Sequence, residues 1–140
     1  MRSIAQILSD SKTIAIVGLS DKPERASHGV AAYLQEHGYR ILPVNPAKAG
    51  DTMLGEKVYA TLQEAADALA TSGQRIDIVD CFRKSEDIPP IAREAIAVRA
   101  GCLWMQLDIE NQAAADLVRA AGIDVVMNHC IKIEHRSLNS

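Results

Sequence analysis

Five basic side chains, Lys22, Arg25, Lys48, Arg83 and Lys84, stand in three short loops, each following an apolar run. Cations gathered on one edge of a domain focus positive potential there and favour a small polyanion. The first loop also holds Gly18. A dinucleotide fingerprint needs G-x-G-x-x-G, so that backbone can approach a pyrophosphate above a helix N-terminus. Here Gly18 stands alone, with Ser20 and Pro23 where the later glycines would help, and the loop runs about eight residues before Ser27. After the second apolar run, NAD-binding domains place an acid for the ribose 2′-hydroxyl. This chain has Asn45, Pro46 and Lys48 instead. A missing carboxylate beside a cation suits a ligand with an extra phosphate, NADP among them, better than NAD.

Nucleophilic chemistry has thinner support. Catalysis by a thiol or hydroxyl needs a base within hydrogen-bond reach, oriented by a third group. Of the four histidines, His28 and His37 fall on or at the end of a helix, where surface or capping roles are expected. His129 and Cys130 are adjacent at a strand end, and adjacent strand residues point to opposite faces. Glu134-His135 with His129 matches no metal-ligand spacing. Cys81 closes a strand next to Phe82, which leaves open a mixed disulfide with a thiol ligand. The three cysteines, Cys81, Cys102 and Cys130, are odd in number and lack C-x-x-C, the usage of free thiols in a reducing cytoplasm.

The elements that must position these residues alternate along the chain. Ser3 to Ser9 reads as a short leading helix, and Thr13–Val17 as a strand buried on both faces. Ser27 is a good N-cap for a helix with Val30, Ala31, Leu34 and Gln35 at helical spacing, ended by Gly38. Tyr39–Val44 is the second strand, and Asn45 to Gly50 is turn chemistry. Thr61-Leu62-Gln63-Glu64 is a capping box opening a helix to about Ala70. Ile76–Phe82 is the third strand, and Pro89-Pro90 marks the first turn of the next helix. Cys102–Leu107 is the fourth. Asn111 caps a helix from Gln112 to Ala121, ended by Gly122, and Ile123–Met127 is the fifth. The pattern predicts a doubly wound α/β fold: a five-stranded parallel sheet with helices on both faces, one domain over residues 1–140. Ligands bind such sheets outside the carboxyl ends of the strands, near the point where strand order reverses.

Composition agrees. The chain of 140 residues is 48% hydrophobic and 24% charged, with a net charge of −3, which argues against a partner made of long phosphate backbone. No run approaches eighteen apolar residues and the N-terminal segment lacks a signal-peptide core, so a cytoplasmic protein without membrane partners is expected.

Several segments then resemble the small bacterial CoA-binding-domain proteins. They are Ile16-Val17-Gly18-Leu19-Ser20-Asp21-Lys22-Pro23-Glu24-Arg25, Pro43-Val44-Asn45-Pro46, Phe82-Arg83-Lys84-Ser85-Glu86, Trp104-Met105-Gln106-Leu107 and Cys130-Ile131-Lys132-Ile133-Glu134-His135. They occur in order over nearly the whole chain. More distantly, the chain is similar to the CoA-binding domain of the succinyl-CoA synthetase α-subunit. The resemblance implies a Rossmann-like fold and coenzyme A as ligand. It places Ser20 to Pro23 against the CoA phosphates, Lys48 near the nucleotide, and Met105, Gln106 and Leu107 along a strand end that lies against the ligand. Two positions depart from the pattern: Asp108 stands where glycine is frequent, and Asn128-His129 replaces Asp-Arg.

Coenzyme A carries roughly four negative charges at neutral pH. On this reading the N–H groups of the loop Gly18, Leu19, Ser20, Asp21, Lys22, with the helix opening at Ser27, cradle its pyrophosphate. Arg25, Lys48 and Arg83 supply charge, Pro23 stiffens the loop, and Val44, Pro46, Phe82 and Ile88 wall the adenine, with Asn45 beside them. The expected function is CoA or CoA-thioester binding without catalysis, by a monomer or small homo-oligomer. The alternatives are an enzyme or redox-regulated protein acting on CoA thioesters, or a binder of NADP.

Overall fold

The computed structural model describes residues 1–138; residues 139–140, the end of the expected domain, lie outside the described residues. Five parallel strands form the main sheet in the order β2-β1-β5-β6-β7. They are β1 (Thr13–Val17), β2 (Arg40–Val44), β5 (Ile78–Cys81), β6 (Cys102–Met105) and β7 (Asp124–Val126). Between β2 and β5 a small antiparallel pair, β3 (Thr52–Met53) and β4 (Glu56–Lys57), turns through Leu54 and Gly55, both at positive φ. Periodicity cannot reveal strands of two residues, and no hairpin is expected from the sequence there.

Side chains alternate across the sheet and build two cores. Ala15, Val17, Val79, Cys81, Leu103 and Met105 pack under α3 (Leu62–Ala70), α4 (Ile88–Ala97) and α5 (Gln112–Ala120). Ile14, Ile16, Ile78, Cys102 and Trp104 pack under α1 (Ile4–Asp10), α2 (Ala26–Glu36) and α6 (Ile131–Leu138). Both faces are covered, which is why β1 and β5 are continuous apolar runs apart from Asp80. No helix among the described residues is long and apolar enough to cross a membrane.

Local chemistry sets the ends of the elements. Ser3 and Gln6 make a reciprocal capping box at the start of α1. Thr61 accepts from the Glu64 N–H, whereas the Glu64 carboxylate reaches Ala60 rather than closing the box on Thr61. Asn111 caps α5 through the Ala114 N–H at 2.9 Å. Several elements differ from expectation, most strand ends by one or two residues. α2 starts at Ala26, with Arg25 rather than Ser27 at its N-cap position, because the Ser27 hydroxyl is taken by the loop. β6 ends at Met105, so Gln106 and Leu107 lie beyond the strand. Helix α6 was not foreseen: its pattern is polar, and Ile131 is its one fully buried residue.

Candidate functional site

From β1 the chain crosses out to β2, then returns to β5 on the other side of β1. The sheet therefore reverses its winding between β1 and β5, and a crevice opens at their carboxyl ends. Gly18 sits at this point with φ +88°, a conformation that disfavours any side chain. A Cβ there would meet the Phe82 carbonyl oxygen at 2.5 Å and the Arg83 Nε at 3.2 Å. Glycine is what lets the loop after β1 and the loop after β5 touch.

The loop that follows is tied by its serines. The Ser20 N–H donates to the Ser27 hydroxyl at 3.0 Å, and the Lys22 N–H donates to the Ser20 hydroxyl at 3.1 Å. Ser20 thus serves as a brace, and its own N–H is spent. Among the described residues the N–H groups of Ala26 and Ser27, in the first turn of α2, have no hydrogen-bond acceptor. They open on a cavity of about 380 Å³ bordered by Gly18, Ser20, Lys22, Arg25 and Phe82. Lys22 and Arg25 are exposed and make no ion pair among the described residues.

Phe82 and Arg83 continue the wall. They border a second cavity of about 490 Å³ with Lys84, Asp87 and Ile109. Arg83 also borders a third, of about 240 Å³, lined by Val17, Val44, Pro46 and Ile91 with the carboxylates of Asp87 and Glu94 at its edge. The crevice is thus cationic at the start of α2 and apolar with two acids beside β2.

The structure brings together Gly18, Ser20, Lys22, Arg25, Val44, Pro46, Phe82 and Arg83. It sets others apart. Ile88, expected in the apolar wall, is fully enclosed in the core because α4 begins there and turns its first side chain inward; Ile91 lines the cavity instead. Leu19 and Met105 are likewise fully buried. Gln106 is enclosed and its side-chain oxygen accepts from the Ile131 N–H, so it fastens α6. Leu107 is exposed. Asn45 ties two loops, donating to the Leu19 carbonyl at 3.1 Å and accepting from the Ala47 N–H. Asp21 and Lys48 pair across the cleft at 3.3 Å. Pro23 is exposed in the loop.

The two departures at the far strands form one unit. Asp108 and Asn128 both have left-handed φ, 68° and 62°, and the Asn128 side-chain oxygen accepts from the Asp108 N–H at 2.7 Å. His129 lies 3.8 Å from Glu134, and Cys130 is half-buried. Cys81 is fully buried, and burial beside Asp80 raises its thiol pKa, so it cannot meet a thiol ligand as its place next to Phe82 suggested.

Asp80, two residues before Phe82, is a polar group to which its place in an apolar run assigns no role. It is fully buried between Ile16 and Trp104 on the neighbouring strands, and neither carboxylate oxygen has a hydrogen-bond partner among the described residues. Burial raises its pKa well above the ordinary 3.8, which favours the neutral acid. The signal was present as an acid inside Ile78-Val79-Asp80-Cys81.

Comparison with known proteins gives a consistent picture. A family model described as a CoA binding domain matches residues 12–136. An uncharacterized protein of Bacillus subtilis (strain 168), YneT, is 41% identical over 132 residues, 94% of this chain and 91% of that one. A Thermus thermophilus structure aligns with a TM-score of 0.88 at 36% identity, covering 96% of both chains. A hypothetical protein of Pyrococcus horikoshii OT3 aligns with a TM-score of 0.85 at 36% identity, over 98% of this chain and 90% of that one.

Proposed function

Because this chain belongs to the CoA-binding-domain family, we propose that it binds coenzyme A or a CoA thioester at the carboxyl edge of the sheet, as a binding module without catalysis of its own. The observation that carries this reading is the crevice at Gly18, where unpaired cations and two free helical N–H groups face the same space. The pyrophosphate lies at the start of α2, where the Ala26 and Ser27 N–H groups and the helix dipole favour negative charge. Lys22, Arg25 and Arg83 neutralise it, the arginines offering two parallel donors to each phosphate. The adenine takes the cavity lined by Val17, Val44, Pro46 and Ile91, where Asp87 or Glu94 accepts from its amino group. A carboxylate suits an amine there and repels a phosphate, which fixes the direction of the ligand across the crevice. Lys48, once released from Asp21, meets the 3′-phosphate.

Calorimetry with coenzyme A, dephospho-CoA and NAD tests this. Coenzyme A is expected to bind about tenfold more tightly than dephospho-CoA, the scale of one charged contact, with NAD weaker still. Equal binding of the three, or none, overturns the proposal.

A further inference from the structure

We propose that the opposite, amino edge of the sheet carries a second binding site, for a small ligand bearing a phosphate or carboxylate, built on Arg75 and Arg99. A cavity of about 1020 Å³ opens there, at the starts of β6 and β7. Three arginines from distant segments line it: Arg2 before α1, Arg75 before β5, and Arg99 between α4 and β6. Asp124 is the one carboxylate in its lining.

Gly101 forms part of the floor. The point where a Cβ on Gly101 would stand lies 2.7 Å from the Asp77 carbonyl oxygen, 3.4 Å from the Arg75 Nη2 and 3.5 Å from the Arg2 Nη2, so the lack of a side chain there is what lets the two guanidinium groups approach one another. They are held differently. Arg2 is locked: its Nε donates to Asp124 at 2.6 Å and its Nη2 to the Gly101 carbonyl at 3.2 Å, with Asp10 3.5 Å from Nη1. Its donors are thus spent on tying the N-terminal segment to the starts of β6 and β7.

Arg75 is held loosely. Its Nη1 reaches the Arg99 carbonyl only at 3.5 Å, and its Nε stands 3.8 Å from Asp77. The Asp77 Oδ2 accepts from the N–H groups of Lys12 and Thr13, which leaves Oδ1 to Arg75 as a long, solvent-exposed ion pair. The Arg99 side chain has no hydrogen bond or ion pair among the described residues, yet its backbone holds φ 55° just past the end of α4. Glycine is the usual residue in that position. An arginine kept there against backbone preference, unpaired and on the rim of the cavity, points outward to a ligand. The unpaired Arg99 fork, with the loosely held Arg75 beside it, recognises an oxyanion by parallel donors. Ile96 and Ile123, also in the lining, give a short apolar body something to rest on.

The test is an NMR titration of the full chain that follows arginine Nε–H and backbone amide signals. The probes are inorganic phosphate and, separately, succinate. Saturable shifts at Arg75, Arg99 and Gly101 are expected, and whichever anion saturates first names the ligand's charged group. R99G suits the left-handed backbone and keeps the fold; it and R75Q are each expected to weaken the anion at least fivefold while leaving coenzyme A binding unchanged. Shifts confined to the Gly18–Ser27 loop, a drift that never saturates, or R99G and R75Q binding the anion as tightly as the parent chain each overturn the proposal.

Discussion

Replacing Gly18 by alanine tests whether the crevice depends on the approach of two loops. At φ +88° an alanine carries the left-handed penalty of about 1–2 kcal/mol. Its Cβ would also stand 2.5 Å from the Phe82 carbonyl oxygen, a backbone atom that cannot swing aside as a side chain does. Relief requires the loop after β5 to shift, at the cost of roughly another 1–2 kcal/mol. The sum is a destabilisation of about 2–4 kcal/mol, or a fall in Tm of about 8–15 °C for a domain of this size. The same shift moves Arg83, so coenzyme A should bind at least tenfold more weakly. Gly29 is the internal control. It lies within α2 with nothing within 4 Å of its Cβ position and no positive φ, so G29A should stabilise the fold by about 0.5–1 kcal/mol. Thermal unfolding and calorimetry of the two variants read out opposite signs. A G18A chain as stable as the parent, or one that binds coenzyme A equally well, refutes the account of the crevice.

Two further outcomes follow from charge. Since burial raises the Asp80 pKa above its unfolded value near 3.8, the unfolded chain ionises first as pH rises. Stability is then greatest below that value and falls as pH climbs towards the raised folded pKa, by up to about 1.4 kcal/mol per pH unit; D80N removes this slope, so urea denaturation should show its advantage over the parent growing from pH 4 to pH 7, and an advantage that does not change with pH contradicts it. The Asp21–Lys48 pair is half-exposed on both sides and contributes well under ~1 kcal/mol to folding, so D21N should leave Tm nearly unchanged while tightening coenzyme A binding several-fold at low salt and less at high salt. Weaker binding by D21N would mean that Asp21 itself holds the ligand.

Some of this was readable from residues alone. Thr13–Val17 is a β-branched run closed by Gly18, and it forms the expected strand with the expected bounds. Five such runs separated by capped helices leave one economical arrangement, the doubly wound sheet. Burial within the site was harder to read. Val44 and Ile88 are both apolar and both buried, but Val44 keeps an edge on the cavity beside Pro46, whereas Ile88 at the start of α4 is wholly enclosed. The family resemblance sets Gln106 against the ligand, whereas in the structure it fastens a helix too polar to show itself in the sequence. The arginine cleft had no linear signature, since Arg2, Arg75 and Arg99 meet only once the parallel strands set their starting loops side by side.

The one tryptophan offers a separate return. Trp104 is fully enclosed, with its indole N–H donating to the His129 carbonyl at 2.8 Å. An indole so shielded emits at short wavelength, and its emission shifts to the red when water reaches it. It stands on β6, one strand away from the β1–β5 crevice, and its hydrogen bond ties β6 to the connection between β7 and α6. The chain therefore carries its own optical gauge: emission reports whether the far half of the sheet is closed, independently of what occupies the near half. Unfolding of that half can be followed by emission with no label attached, while ligand binding at the crevice is read separately by calorimetry.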